Sequence, residues 1–386
     1  MDLRYTAAEE AFRAEARAWL EANVPAAPLP SFDTPEGAQA HRDWERKLND
    51  AGWAMVSWPK EYGGRGVNLL EWLIFEEEYW RVGAPLRFNQ NGLFLLGPTL
   101  MEYGTPEQKE RFLPKMASGE EIWAQGWSEP NAGSDMAAIR STAHMDGDEF
   151  VLNGQKIWST RAVFADWLFG MFRTDPESSR HKGLTFILVP LDTPGVTVRP
   201  ISQLDGLPSF AEVFFEDARV PKWNQLGELG AGWAVAMATA GFERGLMLRS
   251  PGRFQAAAAR LVDLYKRHRD ECDDTIRDAV TRAWSKAEAY SLSTYQTATR
   301  LVAGGSIGSE ASLNKIFWSE MDMELHEAAL AILEARAELL PHAPAAGDVG
   351  QWLDGFLFSL AGPIYAGTNE IQRNVIAERL LGLPRA

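Results

Sequence analysis

The chain has 386 residues, 46% hydrophobic and 24% charged, which suits two or three domain-sized units with a sizeable core and excludes a disordered or fibrous protein. Its 53 acidic against 38 basic side chains leave a net charge of −15, with no basic run dense enough to grip a phosphate backbone, so no nucleic-acid partner is expected. One cysteine, Cys272, excludes an internal disulfide framework, and the first residues lack the basic and apolar regions of a signal peptide. The longest nearly uncharged apolar stretch, 233–242, is half of what a bilayer-spanning helix requires, and the expected setting is the cytoplasm.

The first 120 residues read as helices. Thr6 followed by Glu9 is a capping box, and Ala8, Phe12, Ala16, Trp19 and Leu20 recur on one face until Pro25. A second helix carries Trp44 and Leu48 and stops near Gly52, a third covers 68–82, and Thr105-Pro106 with Gln108 opens another. From about 123 to 221 the period becomes alternating, with strands expected at 149–152, 157–160, 167–173, 184–190, 196–199 and 211–215, the spacing of an antiparallel sandwich or barrel. No helices separate these runs, which disfavours a parallel, doubly wound sheet. After Gly227 helical stripes return, one through Ile276, Val280, Ala283, Trp284 and Ala287, another through Leu313, Ile316, Phe317, Met321, Leu325, Ala328 and Ile332. The expected fold is α+β: an N-terminal α-helical domain (1–122), a middle antiparallel β-barrel or sandwich (123–226) and a C-terminal four-helix bundle (227–386).

Much chemistry is excluded. The six histidines are scattered and only one cysteine exists, so no metal site is expected. No Walker loop or Gly-x-Gly-x-x-Gly turn follows a strand. Gly304-Gly305-Ser306-Ile307-Gly308 matches a serine-hydrolase elbow, but a helical stripe precedes it where that elbow needs a strand, so it reads as a helix–helix turn.

Three segments carry information. Residues 123–135 end in Ser-Glu-Pro-Asn-Ala-Gly-Ser-Asp, a polar connection that also offers Ser128, Ser134 and unpaired N–H groups at a domain junction. In Gln155-Lys156-Ile157-Trp158-Ser159-Thr160 an aromatic ring and a hydroxyl stand two apart, on one side of a regular strand; the competing role for Trp158 is packing the barrel. Residues 361–374 form a Gly-rich turn feeding a helix capped by Thr368, whose N-terminus suits an anion, or is simply well capped.

In this order, with the Pro-Lys-Glu-Tyr-Gly-Gly turn at 59–64, the segments resemble the acyl-CoA dehydrogenase family along essentially the whole chain. The resemblance implies FAD as cofactor, an acyl-CoA thioester as substrate, α,β-dehydrogenation as the reaction and an electron-transfer flavoprotein as acceptor. It implies that Trp127, Ser128, Trp158 and Thr160 line the flavin ring, that Thr368 and Glu370 contact the diphosphate and adenosine side of FAD, and that Ser134, Arg244, Tyr365 and Gly367 face the substrate.

Two departures from the family pattern stand out. The terminal motif of many members carries a glutamate base after its tyrosine, where this chain has Ala366, whose backbone N–H still suits polarising the thioester carbonyl. A minority of the family, including isovaleryl-CoA dehydrogenase, places the glutamate in a Glu-Arg pair opening the C-terminal domain, and Glu243-Arg244 matches it. Burial in the weakly polar run 233–248 would raise the pKa of such a carboxyl toward the range of a base. The Arg-x-x-Phe-Gly and Gln-x-x-Gly-Gly motifs that homotetrameric members present to a neighbour's FAD are missing; 273–278 and 331–335 stand there instead. That resembles actinobacterial steroid-side-chain enzymes in which different subunits share each site. The expected assembly is therefore a homotetramer or a heterotetramer with a related chain, with a non-catalytic assembly subunit as the reading from another class.

Overall fold

The structure, a computed structural model, describes residues 4–244, 249–340, 343–346 and 349–384; the side chains of 242–244 also lie outside the description. The described residues form eleven α-helices and eight strands. The first five helices are α1 (Ala7–Asn23), α2 (Pro35–Asp50), α3 (Leu69–Arg81), α4 (Gly97–Tyr103) and α5 (Pro106–Ala117). Local chemistry sets their starts. The Thr6 hydroxyl accepts the Glu9 N–H at 3.2 Å while the Glu9 carboxylate accepts the Thr6 N–H at 2.7 Å. Asn68 and Glu71 cap α3 in the same reciprocal way, as Thr105 and Gln108 cap α5.

The sequence pattern does not foresee the π-helical stretch Asn91–Leu96 that feeds α4. Beside it Asn89 is fully consumed: its amide donates to Met116 O (2.9 Å) and Glu121 O (3.0 Å), and its oxygen accepts the Trp123 N–H (3.0 Å). A Cβ on Gly92 would lie 2.5 Å from that Asn89 oxygen, so only glycine fits there.

The strands are β1 (Trp123–Gly126), β2 (Thr142–Asp146), β3 (Glu149–Thr160), β4 (Trp167–Arg173), β5 (Leu184–Pro190), β6 (Val196–Ile201), β7 (Phe210–Pro221) and β8 (Gln225–Leu226). They run in the order β6-β7-β3-β2-β4-β5-β8, mostly antiparallel, with β1 added to β4 in parallel register from Trp123 opposite Trp167 to Gly126 opposite Gly170. The two runs expected at 149–152 and 157–160 are one strand, β3, interrupted by irregularities rather than by a turn. Phe150, Leu152, Leu168, Phe172, Ile187 and Val213 fill the interior of the sheet.

The remaining helices are α6 (Gly232–Arg244), α7 (Pro251–Arg267), α8 (Asp274–Val302), α9 (Ala311–Leu333), α10 (Gly350–Ser359) and α11 (Asn369–Val375). Helix α8 ends in a Schellman turn, Gly305 N–H to Arg300 O and Gly304 N–H to Leu301 O, both at 2.9 Å. The Gly-Gly-Ser-Ile-Gly motif therefore joins two helices, with no strand before it. Of the α9 stripe, Met321, Leu325, Ala328 and Ile332 are buried while Leu313 and Phe317 are exposed. Leu313, Phe317, Met321 and Leu325 follow at steps of four, each turning about 40° past a full turn of a 3.6-residue helix, which carries the first of them off the packed face.

Two compact units result. One holds Pro25–Gly66 and Pro85–Glu243, with α2, α4, α5, the whole sheet and α6. The other holds Met1–Val24, Val67–Ala84 and Arg244–Ala386, so α1 and α3 belong with the C-terminal helices. Phe254, Leu261, Leu264, Tyr290, Trp318 and Leu325 form its core. No helix among the described residues is long and apolar enough to cross a membrane.

Candidate active site

Within the sheet-bearing unit two of the sequence signatures meet. The Ile157 N–H donates to Ser128 O at 2.9 Å, which sets the segment after β1 beside β3. One residue after Ser128 and one before Ile157, a buried ion pair locks the segments: Lys156 Nζ lies 2.8 Å from Glu129 Oε1. Lys156 is 0% exposed, and its ammonium also donates to Met171 O at 2.6 Å and sits 5.0 Å from the centre of the Phe172 ring. Glu129 accepts two further backbone N–H groups, from Arg140 (2.6 Å) and Ser141 (2.9 Å).

Burial pulls the Lys156 ammonium down to about 8 against the upward pull of Glu129. Burial would raise the Glu129 carboxyl, but the charge of Lys156 and the hydrogen bonds it accepts outweigh that and hold it below the usual carboxylate range. Sequence reading missed both residues as a pair. The only local sign was a lysine and a glutamate placed inside signature stretches otherwise read for their aromatic and hydroxyl groups.

The pair flanks a break in the pleat. The β3–β7 register shifts between Lys156 and Ser159, and Trp158 has φ +60°, a left-handed conformation that costs a bulky residue of order 1–3 kcal/mol. The expectation that Trp158 and Thr160 share a side of a regular strand therefore gives way to a bulge that re-aims the indole. Trp158 is 56% exposed, touching Phe210 edge-on at 6.0 Å, so it does not pack the interior. Ser128 and Thr160 are half-buried and Ser134 is exposed.

Trp127 is buried, edge-on to Phe169 and Phe186. Its indole N–H, the Gln125 amide nitrogen and the Ser159 hydroxyl are buried with no hydrogen-bond partner among the described residues. Unpaired buried donors cost roughly 1–3 kcal/mol each and mark places where a ligand completes the bonding. Orphaned donors beside an exposed indole and two hydroxyl-bearing residues fit a planar, polar-edged ring such as a flavin.

Helix α6 reaches Glu243 and Arg244, whose side chains lie outside the described residues. One turn earlier, the buried Thr239 hydroxyl shares a 2.9 Å hydrogen bond with Thr99 on α4, which seats the helix.

The C-terminal segment belongs to the other unit. Tyr365 stacks on Trp318 at 5.9 Å, with the Arg249 guanidinium 5.1 Å from the centre of each ring. Ala366 (φ +58°) and Gly367 (φ +76°) then turn the chain left-handed, and both carbonyls accept the Gln372 side-chain amide, at 3.1 and 3.2 Å. The Thr368 hydroxyl accepts the Ile371 N–H as N-cap, and Glu370 is exposed beside Arg373 at 3.6 Å. Helix α11 is short, seven residues, and its first turn follows directly on this cap.

Comparison with known proteins identifies this architecture. Residues 6–120, 124–218 and 230–381 match the N-terminal, middle and C-terminal domains of acyl-CoA dehydrogenase. The chain belongs to the acyl-CoA dehydrogenase family. It is 42% identical over 383 residues to acyl-CoA dehydrogenase IpdE1 of Mycobacterium tuberculosis, covering 97% of this chain and 98% of that protein. Among solved structures it is similar to the Tcur3481–Tcur3483 steroid acyl-CoA dehydrogenase (32% identity, TM-score 0.89, all of both chains). It is also similar to the ChsE4–ChsE5 complex of Mycobacterium tuberculosis (31% identity, TM-score 0.84, all of both chains). The family is one of FAD-dependent oxidoreductases, and the α+β plan expected from the sequence is the one it uses.

Proposed function

We propose that this acyl-CoA dehydrogenase removes the proton next to the thioester carbonyl of an acyl-CoA with Glu243, in a site it shares with a related but different chain, and delivers electrons to an electron-transfer flavoprotein in the cytoplasm. The domain division at 122/123 and 226/227 belongs to the same reading. The observation that carries it is the junction of the two β-domain signatures, where the Ile157 N–H meets Ser128 O and the exposed Trp158 is raised on its bulge.

FAD, when bound, supplies the two-electron acceptor for the hydride from the neighbouring carbon. The residues of this chain do the rest. Trp127 and Trp158 give the ring apolar faces, and the hydroxyls of Ser128 and Thr160 hold its polar edge. Thr368 and Glu370 take the diphosphate and adenosine side, while Ser134, Arg244, Tyr365 and Gly367 face the acyl-CoA. Glu243 accepts the α-proton, as a positioned carboxylate does in general-base catalysis. The Ala366 N–H polarises the carbonyl, which makes that proton more acidic and needs no side chain.

A shared site is favoured by two observations. The adenine-side Arg and Gln motifs are missing, and two of the similar structures carry two chain names, ChsE4–ChsE5 and Tcur3481–Tcur3483. Exposed apolar residues on the C-terminal helices, among them Trp284, Leu292, Leu313 and Phe317, suit an oligomer contact. The chain purified alone should hold less than one FAD per subunit, rising when a second dehydrogenase-like chain is co-expressed. Tight stoichiometric FAD in a homo-oligomer would leave the homotetramer standing.

Anaerobic bleaching of the flavin by straight, branched and steroid-derived CoA thioesters tests the activity. Glu243→Gln should keep FAD and substrate binding while reduction slows about 10²–10⁴-fold. Bleaching at the wild-type rate would show that Glu243 is not the base, and a flavin that no thioester bleaches would point to a non-catalytic assembly subunit.

A further inference from the structure

We infer that Gln372 is a positioning residue, whose side-chain amide clamps the Ala366 and Gly367 carbonyls and so holds the Ala366 N–H in the orientation that polarises the thioester carbonyl. The role assigned to Ala366 rests on the function proposed above; the clamp itself rests on geometry.

A backbone N–H stabilises developing charge only when its peptide planes are fixed in advance, since reorganisation at the moment of reaction cancels the gain. The segment around Ala366 is a poor candidate for fixing itself. Two successive residues have positive φ, +58° at Ala366 and +76° at Gly367, and alanine is intrinsically unfavourable there. Something outside the turn must hold it.

Helix geometry provides the means. Side chains on an α-helix tilt toward its N-terminus, so Gln372 in the first turn of α11 reaches back over Thr368 to the preceding loop. Its single amide nitrogen donates to both carbonyls, 3.1 Å to Ala366 and 3.2 Å to Gly367, and fixes the 366–367 and 367–368 peptide planes, so that the 365–366 plane carrying the Ala366 N–H is held from its C-terminal side. From the other side Tyr365 is anchored by its stack on Trp318. The Asn369 N–H donates to Pro363 O at 2.8 Å while the Asn369 side chain accepts Lys315 Nζ at 2.8 Å. Ala366 thus lies between two fixed points. Gly367 is needed for the same contact, because a Cβ there would stand 2.6 Å from the Gln372 nitrogen.

A purely structural residue would look different. Gln372 is 1% exposed, yet its amide oxygen has no hydrogen-bond partner among the described residues. An apolar side chain of similar length would fill the same volume without burying an unpaired acceptor. The glutamine is therefore suited to holding the loop more than to stabilising the fold.

The test is Gln372→Met in the holoenzyme, with any partner chain present. Thermal midpoint and FAD content should stay close to wild type. Hydrogen exchange of the peptide spanning 363–370 should quicken at least about tenfold, because the loop opens locally without global unfolding. With the acyl-CoA that reduces the wild-type flavin fastest, kcat should drop by about 100-fold, the cost of a small misplacement, while KM changes little. The carbonyl stretch of the bound enoyl-CoA product should move back toward its value in water. Gln372→Leu, which is apolar and has no donor, should behave alike and covers the case in which methionine disturbs folding. Unchanged exchange, or faster exchange with unchanged kcat and carbonyl stretch, overturns the positioning role. Faster exchange in a protein whose wild type reduces no flavin would instead keep the clamp and sink the dehydrogenase reading on which the carbonyl contact rests.

Discussion

The two regions that carry the family signatures are held by opposite means. In the sheet-bearing unit, the Ser128 segment and the Trp158 bulge are fastened by a fully buried ion pair, Lys156–Glu129, backed by three backbone partners. In the helical unit, the loop at 365–368 is fastened by the neutral amide of Gln372 and the capping hydroxyl of Thr368. A buried charge pair is rigid but unforgiving, because losing one partner strands the other in a low dielectric. A neutral amide can be lost at the cost of a bond or two. Large stability effects should follow from the first region, and effects on geometry and rate from the second.

Lys156→Met gives the largest expected effect. It leaves the Glu129 carboxylate buried without its counter-charge and should destabilise the protein by about 3–5 kcal/mol, measured by chemical denaturation near neutral pH. The pH dependence separates charge loss from lost packing. In the wild type the Glu129 carboxyl lies below its ordinary value, so its contribution is fully present above the unfolded carboxylate pKa and is lost as pH falls through the lower folded value. In the variant, burial without a cation raises that carboxyl, so the variant binds a proton on acidification that relieves the strain. The stability gap between the two should therefore shrink from pH 7 toward pH 5. A gap independent of pH would mean that packing around Met171 and Phe172, and not charge, is what Lys156 provides. Gln372→Met should leave stability nearly untouched, and a loss as large as that at Lys156 would erase the contrast between the regions.

How far the sequence reveals this depends on the range of each interaction. Capping residues such as Thr6, Asn68 and Thr105 act over three positions, and the helices begin where they say. The strand runs at 167–173 and 184–190 are equally plain, because both faces of β4 and β5 are apolar. The parallel pairing of Trp123 with Trp167, and the contact of Glu129 with Lys156, join residues that no local pattern connects. Alternation assigned Trp158 to a regular pleat, and the bulge escaped it because periodicity carries no sign of a positive φ at a tryptophan. The candidate site was legible as three ordered motifs. What the motifs hid is that some of their residues, Glu129, Lys156, Asn369 and Gln372, hold the others in place.

The smallest expected effect concerns the flavin edge itself. If the ion pair fixes the framework, then the hydroxyls it presents are individually replaceable. An ordinary hydrogen bond contributes about 0.5–1.5 kcal/mol, so Ser128→Ala or Thr160→Ala alone should weaken FAD binding only about 2- to 10-fold, with no change in thermal stability of the apoprotein. The double alanine variant should lose FAD at working concentrations or shift the visible spectrum, because the polar edge of the ring then has neither hydroxyl, while the Lys156–Glu129 pair and the bulge at Trp158 remain. Visible absorption and flavin content after gel filtration measure both effects. An unchanged spectrum at full occupancy would place the ring away from these residues, whereas loss of folding in the double variant would mean that the hydroxyls belong to the framework and that the division between holding and binding residues is drawn in the wrong place.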